Sequence, residues 1–163
     1  EIGIQESSKA AIAQAQANGH RVCLATGRPK PEVEDEILSI PFDGCIYSCG
    51  AMVESNGNVL FYEPFPQELV KHMILLMQTH AIGFNLEGSR TSFLDPTGYD
   101  FFHSLFQRSM KDNSELARQY MAAIRMHPLQ ELKETDTLQI MKIATFITRE
   151  SRLDEFDRQL PHS

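Results

Sequence analysis

The sequence predicts an α/β fold, in which half of a doubly wound parallel sheet carries a β-hairpin and is followed by a second α/β lobe. Three observations predict it. Strand-length apolar runs alternate with helical patterns over residues 5–55, Asn56-Gly57 marks a hairpin, and Pro64-Phe65-Pro66 precedes a new set of helices and strands. We therefore expect one domain over residues 1–63 and a second, incomplete domain over residues 64–163.

The elements of the first domain follow from periodicity and from turn residues. Gly19 ends an alanine-rich helical pattern, Pro41 ends a short acidic one, and a Cys49-Gly50-Ala51 break precedes the hairpin. The apolar run that ends at Ala25 has the composition of a buried parallel strand. The predicted helices cover residues 5–18 and 32–40, and the predicted strands cover residues 21–25, 45–48, 52–55 and 58–62.

The second domain shows the same two periodicities. Leu69, Met73, Leu76 and Met77 recur on one face of a helical pattern, as in an amphipathic helix packed on a core. Apolar runs of strand length flank a Gly88-Ser89 turn, and a run rich in Ile, Phe and Thr recurs near the end of the chain. The predicted helices cover residues 67–80, 99–110, 114–125 and 150–160, and the predicted strands cover residues 82–87, 91–95 and 138–148.

Composition places the chain among ordinary globular proteins, since 42% of its 163 residues are hydrophobic and 23% are charged. The net charge of −7 and the dispersed lysines and arginines argue against nucleic acid as a partner. No apolar run approaches the roughly 18–20 residues of a membrane span, and residues 1–5 do not resemble a signal peptide. With three cysteines, an odd number, we expect a reduced, cytoplasmic protein without a membrane partner.

Polar residues follow the predicted strand that ends at Ala25. Thr26 offers a hydroxyl, Gly27 lets a ligand approach the backbone, and Arg28 can meet an anion, all at the end of the strand where open α/β sheets bind ligands. We interpret this turn as a phosphate-binding corner, although such a turn is more often a helix-capping loop. Cys23 and Arg28 do not form a cysteine-phosphatase loop, because fewer residues separate them than that loop requires.

The cysteines and histidines do not predict a catalytic thiol or a metal centre. Cys49-Gly50 follows a strand but precedes a hairpin, whereas a nucleophile elbow requires a helix, so we interpret Cys49 as a packed residue in a tight bend. Cys45 and Cys49 lack a second pair with zinc-binding spacing, and neither G-x-G-x-x-G nor a Walker A motif is present. We expect the histidines to be solvated; they are His20, His72, His80, His103, His127 and His162.

The string Ala25-Thr26-Gly27-Arg28-Pro29, within this order of elements, resembles the haloacid dehalogenase (HAD) superfamily and, more narrowly, its Cof-type phosphatases. The Cys49-Gly50-Ala51 turn and the Asn56-Gly57 hairpin match the same pattern, and Glu63-Pro64 resembles the exit into the cap domain of that group. The resemblance covers residues 4–95 well and the remainder loosely. It implies a partial Rossmann-like core with a parallel sheet, followed by an α/β cap domain.

The resemblance also implies a function. It implies a magnesium-dependent phosphatase that hydrolyses a small phosphorylated metabolite, such as a sugar phosphate or a nucleotide, through an aspartyl-phosphate. Thr26 is implied as the one catalytic residue present, and the implied substrate-binding residues are Thr26, Gly27, Arg28, Cys49 and Gly50. The Asp-x-Asp-Gly nucleophile, the motif-three lysine and the magnesium ligands have no counterparts in this chain, and Cys49 replaces the usual asparagine.

These departures lead to further expectations. We interpret the chain, which begins with Glu1 rather than Met, as a processed or truncated piece that is inactive alone. A sheet without its leading strand exposes an edge, so we expect poor solubility or a homo-oligomer. The alternative function is a non-catalytic ligand-binding or interaction module that keeps the fold; a generic nucleotide-binding α/β domain is a weaker third. Glu87 and Arg90 flank a predicted turn, where they either face the active site or form a surface salt-bridge pair; we interpret them as the pair.

Overall fold

The computed structural model describes residues 4–160. It contains two four-stranded sheets, which residues 63–66 connect, and the helices that pack on them. Residues 1–3 and 161–163 of the two predicted domains, and with them His162, lie outside the described residues. The helices are α1 (Glu6–Ala17), α2 (Asp35–Leu38), α3 (Gln67–Thr79), α4 (Pro96–Ser109), α5 (Ser114–Ala123) and α6 (Leu153–Asp157). The strands are β1 (Cys23–Ala25), β2 (Gly44–Tyr47), β3 (Met52–Ser55), β4 (Asn58–Tyr62), β5 (Gly83–Gly88), β6 (Ser92–Leu94), β7 (Met126–Pro128) and β8 (Ile140–Phe146).

The first sheet has the strand order β1-β2-β3-β4. β1 and β2 are parallel, with Cys23 opposite Gly44, whereas β2, β3 and β4 are antiparallel neighbours. Asn56 and Gly57 have φ angles of 50° and 75°, and these left-handed values are what a tight two-residue hairpin turn requires. The predicted α/β class and the predicted hairpin are therefore confirmed, while the domain boundary at residue 63 stays a prediction.

β1 is not the buried strand that its composition predicts. It forms one edge of the first sheet, and among the described residues it pairs with β2 alone. Cys23 and Ala25 are exposed, and Leu24, which points to the opposite face, is half-buried. An apolar run predicts a strand but not its place in the sheet, because burial depends on which elements cover its two faces.

The two sheets contact each other through a shared apolar cluster. Val33, Tyr47 and Met52 from the first part of the chain pack with Met141 of β8, and all four side chains are buried. The backbone adds a second link, because the Phe65 N–H donates to the carbonyl of Ile140 at 2.7 Å. The loop that follows β1 is therefore held close to the second sheet.

The second sheet has the order β7-β6-β5-β8, and every residue of β5 is buried. β5 is antiparallel to β6 and to β8, whereas β6 and β7 are parallel, with Ser92 opposite Met126. β7 has no counterpart in the sequence prediction. It is three residues long, and its pairing with β6 rather than any local pattern makes it a strand.

Helix α3 packs on this sheet through three of the four residues that its periodicity predicts; Leu69 is only half-buried, and Val70 beside it is buried in the core instead. Leu76 and Met77 are buried, and Met73 packs against the same cluster. The cluster combines side chains from α3, from β5, β6 and β8, from the residue before β5, and from α6: Val70, Leu76, Met77, Ile82, Phe84, Leu86, Phe93, Ile140 and Phe156. The amphipathic pattern is therefore a packing signal, which is its commonest meaning.

Helices α4 and α5 pack together over a second apolar cluster of this domain, formed by Leu94, Met121, Ile124 and Met126 with four aromatic rings beside it. α4 begins at Pro96, three residues before the predicted start. Asp95 is its N-cap, with a carboxylate that accepts from the Gly98 N–H at 2.8 Å and the Thr97 N–H at 3.3 Å. Aspartate followed by proline is a typical start of a helix.

Two predicted helices are much shorter than expected. Residues 32–40 contain only the four-residue α2, because Val33 and Glu34 adopt extended backbone angles after a 3₁₀ turn over Lys30–Glu32. Residues 150–160 contain only α6, of five residues. Among the helices of the described residues, none is both long enough and apolar enough to cross a membrane.

Candidate functional site

The turn after β1 begins with Thr26, whose backbone continues the strand pairing. The Thr26 N–H donates to the carbonyl of Ile46 at 2.9 Å. Its Oγ1 accepts the N–H of Arg28 at 3.1 Å, and the side chain is half-buried. Because this bond uses only a lone pair of the hydroxyl, the hydroxyl hydrogen of Thr26 is left to donate to a ligand.

A second turn, Ser48–Gly50, lies against the first and is bonded to it. The Ser48 N–H donates to the carbonyl of Arg28 at 3.0 Å, and the Cys49 N–H donates to the carbonyl of Thr26 at 3.4 Å. These residues are about twenty apart in sequence and follow the neighbouring parallel strands β1 and β2. Parallel strands end at the same edge of a sheet, which is why the two turns meet.

The second turn is tightly wound, with φ angles of 49° at Ser48, 57° at Cys49 and 104° at Gly50. Left-handed values at non-glycine residues cost on the order of 1–3 kcal/mol each and cluster at functional sites. Cys49 Sγ lies 3.3 Å from the position that a Cβ at Gly27 would occupy, so glycine there leaves room for the sulfur. The structure thus brings all five predicted site residues together, while their roles remain predictions.

The guanidinium of Arg28 is already engaged. It donates to Glu34 Oε1 at 2.9 Å, and the Tyr120 hydroxyl donates to the same oxygen at 2.9 Å. Burial raises the pKa of the Glu34 carboxyl, but hydrogen bonds from its own backbone, Arg28 and Tyr120 outweigh burial and hold that pKa below its ordinary value. Burial and the bond to Glu34 raise the pKa of Tyr120 to about 12. An anion would therefore compete with Glu34 for Arg28.

Lys142 of β8 supplies a cation at this corner that the sequence analysis missed. Its Nζ donates to the carbonyl of Gly27 at 3.0 Å and to the Glu87 carboxylate at 2.8 and 3.0 Å. Burial raises the pKa of Glu87, and the ion pair with Lys142 opposes the rise. The sequence contains one indication of this role, because Lys142 is the only charged residue in the otherwise apolar and polar strand predicted over residues 138–148.

The interpretation of Glu87 and Arg90 as a surface salt-bridge pair is wrong. Glu87 is only 4% exposed and pairs across strands with Lys142, which lies directly opposite it in the register. Arg90 donates instead to Gln139 Oε1 at 3.1 Å. The two residues lie close in sequence, but only Glu87 is a residue of β5, and Arg90 is exposed in the turn that follows it.

The expectation of solvated histidines is wrong for His80. Its side chain is 3% exposed at the end of α3, with its ring edge-on to Phe156 at 6.3 Å between centroids. Its Nδ1 lies 3.6 Å from the Glu155 carboxylate, and neither ring nitrogen has a hydrogen bond within the described residues. The packing of α6 on α3 buries this ring, and helical periodicity alone does not predict it.

The described residues do not fit a magnesium ion. Within residues 4–160, no three histidine, cysteine, aspartate or glutamate side chains come together in a group that could hold a metal. The acidic residues nearest the Thr26–Arg28 turn are engaged otherwise, since Glu34 binds Arg28 and Glu87 binds Lys142. The corner consists of the Thr26 hydroxyl, backbone groups of the two turns and the Lys142 ammonium, and its role in binding an anion stays a prediction.

The sequence matches the family model for haloacid dehalogenase-like hydrolases over residues 2–163. The chain belongs to this family. The resemblance to the haloacid dehalogenase superfamily that the Ala25–Pro29 string indicates is therefore confirmed, and residues beyond 95 belong to the match as well. No curated protein matches this HAD-like chain in sequence.

Solved structures share the fold of this HAD-like chain at low sequence identity. A haloacid dehalogenase-like hydrolase from B. subtilis is 16% identical, with a TM-score of 0.70, and the match covers 96% of this chain and 60% of that one. The HAD subclass IIB sugar phosphatase BT4131 is 17% identical, with a TM-score of 0.59 and coverages of 96% and 55%. TM0651 from Thermotoga maritima is 17% identical, with a TM-score of 0.62 and coverages of 96% and 54%. The chain therefore spans little more than half the length of these structures.

Proposed function

We propose that the protein is a magnesium-dependent phosphatase of the HAD-like hydrolase family that acts on a small phosphate ester, such as a sugar phosphate or a nucleotide. In this proposal the chain supplies one wall of the phosphate site, the Thr26–Arg28 turn. The observation that carries the proposal is the meeting of this turn with Ser48–Gly50 and with the Lys142 ammonium, 3.0 Å from the carbonyl of Gly27.

Each group at this corner has a part in holding a phosphoryl group. The Thr26 hydroxyl donates to a phosphate oxygen, since its hydrogen is not needed for the bond from Arg28. Gly27 is exposed and lets the oxygen approach the backbone. Lys142, whose ammonium is paired with Glu87, donates to the carbonyl of Gly27 and so holds the turn in place, and fixed groups of this kind favour charge that develops on the transferred group.

The chemical step itself is assigned to residues that this chain does not contain. The family resemblance implies attack by an aspartate on phosphorus, an aspartyl-phosphate and its hydrolysis by water, with a magnesium ion neutralising charge. Neither an Asp-x-Asp-Gly motif nor a metal-binding group is found in the described part of the chain, so we derive no step through the metal. Thr26 binds and orients the substrate but does not attack it.

The first test is phosphate binding to this chain and to its Thr26→Val variant. Orthophosphate is titrated into ¹⁵N-labelled protein, and we expect the amide resonances of Thr26, Gly27, Arg28 and Gly50 to shift. Loss of a hydrogen bond to a charged group costs about 1.5–3 kcal/mol, so the variant should bind about 10- to 100-fold more weakly. Thr79→Val is the matched control, because the Thr79 hydroxyl is exposed and bonds only to its own helix at Leu75 O.

Two outcomes would contradict the binding role of Thr26: no shifts at the two turns, or equal weakening in Thr79→Val. Turnover is tested separately with p-nitrophenyl phosphate and magnesium. We expect none from these 163 residues; robust hydrolysis that Thr26→Val abolishes would contradict the placement of the nucleophile outside them.

The second candidate function is a ligand-binding module without catalysis, and the engagement of Arg28 by Glu34 favours it over a complete active site. Both functions predict phosphate binding. A natural coding sequence with Asp-x-Asp-Gly ahead of residue 1 supports the phosphatase, and one without it supports the module.

A further inference from the structure

A buried carboxyl group connects the loop after β1 to the second sheet. Glu32 lies in the 3₁₀ turn that follows the Thr26–Arg28 turn and is only 6% exposed. Its Oε1 accepts the hydroxyl of Ser92 at 2.5 Å and the side-chain amide of Asn85 at 3.2 Å. These partners belong to β6 and β5 and lie 60 and 53 residues from Glu32 in sequence. Removing the second sheet would expose this carboxyl to water.

One atom of the cluster lacks a partner. Asn85 is fully buried, and its Oδ1 has no hydrogen bond within the described residues. A buried acceptor without a donor is costly, by about 1–3 kcal/mol. An ionised Glu32 places a charge without a cation bonded to it in this buried cluster, whereas a protonated Glu32 is neutral there.

The charged groups around Glu32 act in opposite directions. Burial raises the pKa of Glu32 to about 7, and the negative charge of Glu87 on β5 adds to the rise. The donors Ser92 and Asn85 and the ammonium of Lys142 on β8 lower that pKa but do not cancel the effect of burial. On its own side of the interface Arg28 donates to the carbonyl of Glu32 at 3.4 Å, and that guanidinium is paired with Glu34.

We propose that Glu32 is a positioning residue, and that its protonation docks the second sheet onto the Thr26–Arg28 turn. Docking brings the Lys142 ammonium to the carbonyl of Gly27 and buries Val33 with Met141. A proton taken up by Glu32 therefore closes the phosphate corner, and its release loosens the corner. This role goes beyond the proposed phosphatase function and does not depend on it, because it concerns the contact between the two sheets.

The direction of the pH dependence follows from the raised pKa. Below pH 4.5, the ordinary value for glutamate, the carboxyl is protonated whether the sheets are docked or apart, and docking is fully favoured. Between pH 4.5 and about 7 only the docked form holds the proton, so docking weakens as the pH rises. Above about 7 both forms are ionised and the loss is complete. The difference between the two pKa values corresponds to a change of about 300-fold in the docking equilibrium.

Hydrogen exchange measured by mass spectrometry tests the proposal on this chain between pH 5 and pH 8.5, with each rate divided by the intrinsic rate at that pH. We expect the protection of residues 29–38 and 85–93 to fall by about 70-fold over this range in the unmodified chain, because part of the full change lies below pH 5. Glu32→Gln keeps the acceptor and stays neutral, so its protection should be high throughout and keep only the small dependence due to Glu87.

Glu150→Gln is the control, because Glu150 is exposed and its carboxylate has no partner within the described residues; it should behave like the unmodified chain. The same pH dependence in Glu32→Gln and in the unmodified chain would overturn the proposal, as would low protection of Glu32→Gln at every pH.

If Glu32→Gln does not fold, a carboxyl titration by ¹³C NMR decides. A Glu32 resonance that titrates near pH 7 supports the proposal, and one that titrates near pH 4.5 overturns it. Orthophosphate binding at Thr26 is a separate readout: its absence contradicts the proposed function and leaves the hydrogen-exchange result unchanged.

Discussion

Replacing Phe84 by alanine is expected to lower the free energy of unfolding by about 3–5 kcal/mol. Phe84 is fully buried near the start of β5, in the cluster that joins α3 to the second sheet. Its neighbours there include Val70, Met77 and Leu86. They are fully buried themselves and cannot easily move into the space left behind. The loss combines the transfer of the ring to water with a cavity that the surrounding side chains fill only in part.

Urea unfolding followed by circular dichroism measures the effect of Phe84→Ala. The midpoint should fall while the slope stays the same, because the surface exposed on unfolding is nearly unchanged. Leu75→Ala on α3 is the control; Leu75 is 65% exposed, so its loss should cost no more than about 0.5 kcal/mol. A loss below 1 kcal/mol for Phe84→Ala would show that β5 is not the centre of this core.

Replacing Asp95 by alanine should cost about 3 kcal/mol. The carboxylate accepts the N–H of Phe84 at 2.7 Å in addition to those of Thr97 and Gly98 at the start of α4. Loss of an N-cap costs about 1 kcal/mol, and each buried N–H left without an acceptor adds about 1–3 kcal/mol. Asp95 is itself 8% exposed, so water replaces the lost acceptor poorly.

Two variants separate the contributions of Asp95. Asp95→Asn keeps one acceptor oxygen and should lose clearly less than Asp95→Ala. Asn113→Ala removes the N-cap of α5, whose side chain accepts only from the Leu116 N–H at 3.0 Å at an exposed site, and should cost about 1 kcal/mol. Equal losses in Asp95→Ala and Asn113→Ala would contradict the importance of the Phe84 bond. All three are compared by urea unfolding.

Most helices and strands were predictable because their signals are local. The Asn56-Gly57 hairpin, the face of α3 and the antiparallel pair β5–β6 appear where turn residues and periodicity place them. The errors fall where local signals are absent or misleading. β7 depends on its pairing with β6, and the predicted helix over residues 32–40 is interrupted because Val33 and Glu34 are extended.

Only the part of the candidate site that the first sheet contributes was predictable. Thr26, Gly27 and Arg28 stand out because polar residues end an apolar run, and the turn at Cys49 follows the next strand along the chain. The ion pair of Arg28 with Glu34 was not predictable, nor was the bond from Tyr120 to the same carboxylate. The Tyr120 hydroxyl belongs to α5 and lies 86 residues from Glu34 in sequence.

By itself, the sequence determined the α/β class, the hairpin, the Thr26–Arg28 turn and the family, since periodicity, turn residues and a short string encode them within a few residues. Only the tertiary structure decided that Lys142 meets Gly27 from 115 residues away and that Glu32 is buried against β5 and β6. The physical reason is that burial and charge pairing depend on which surfaces meet when the two sheets pack, and no local pattern in the chain records that meeting.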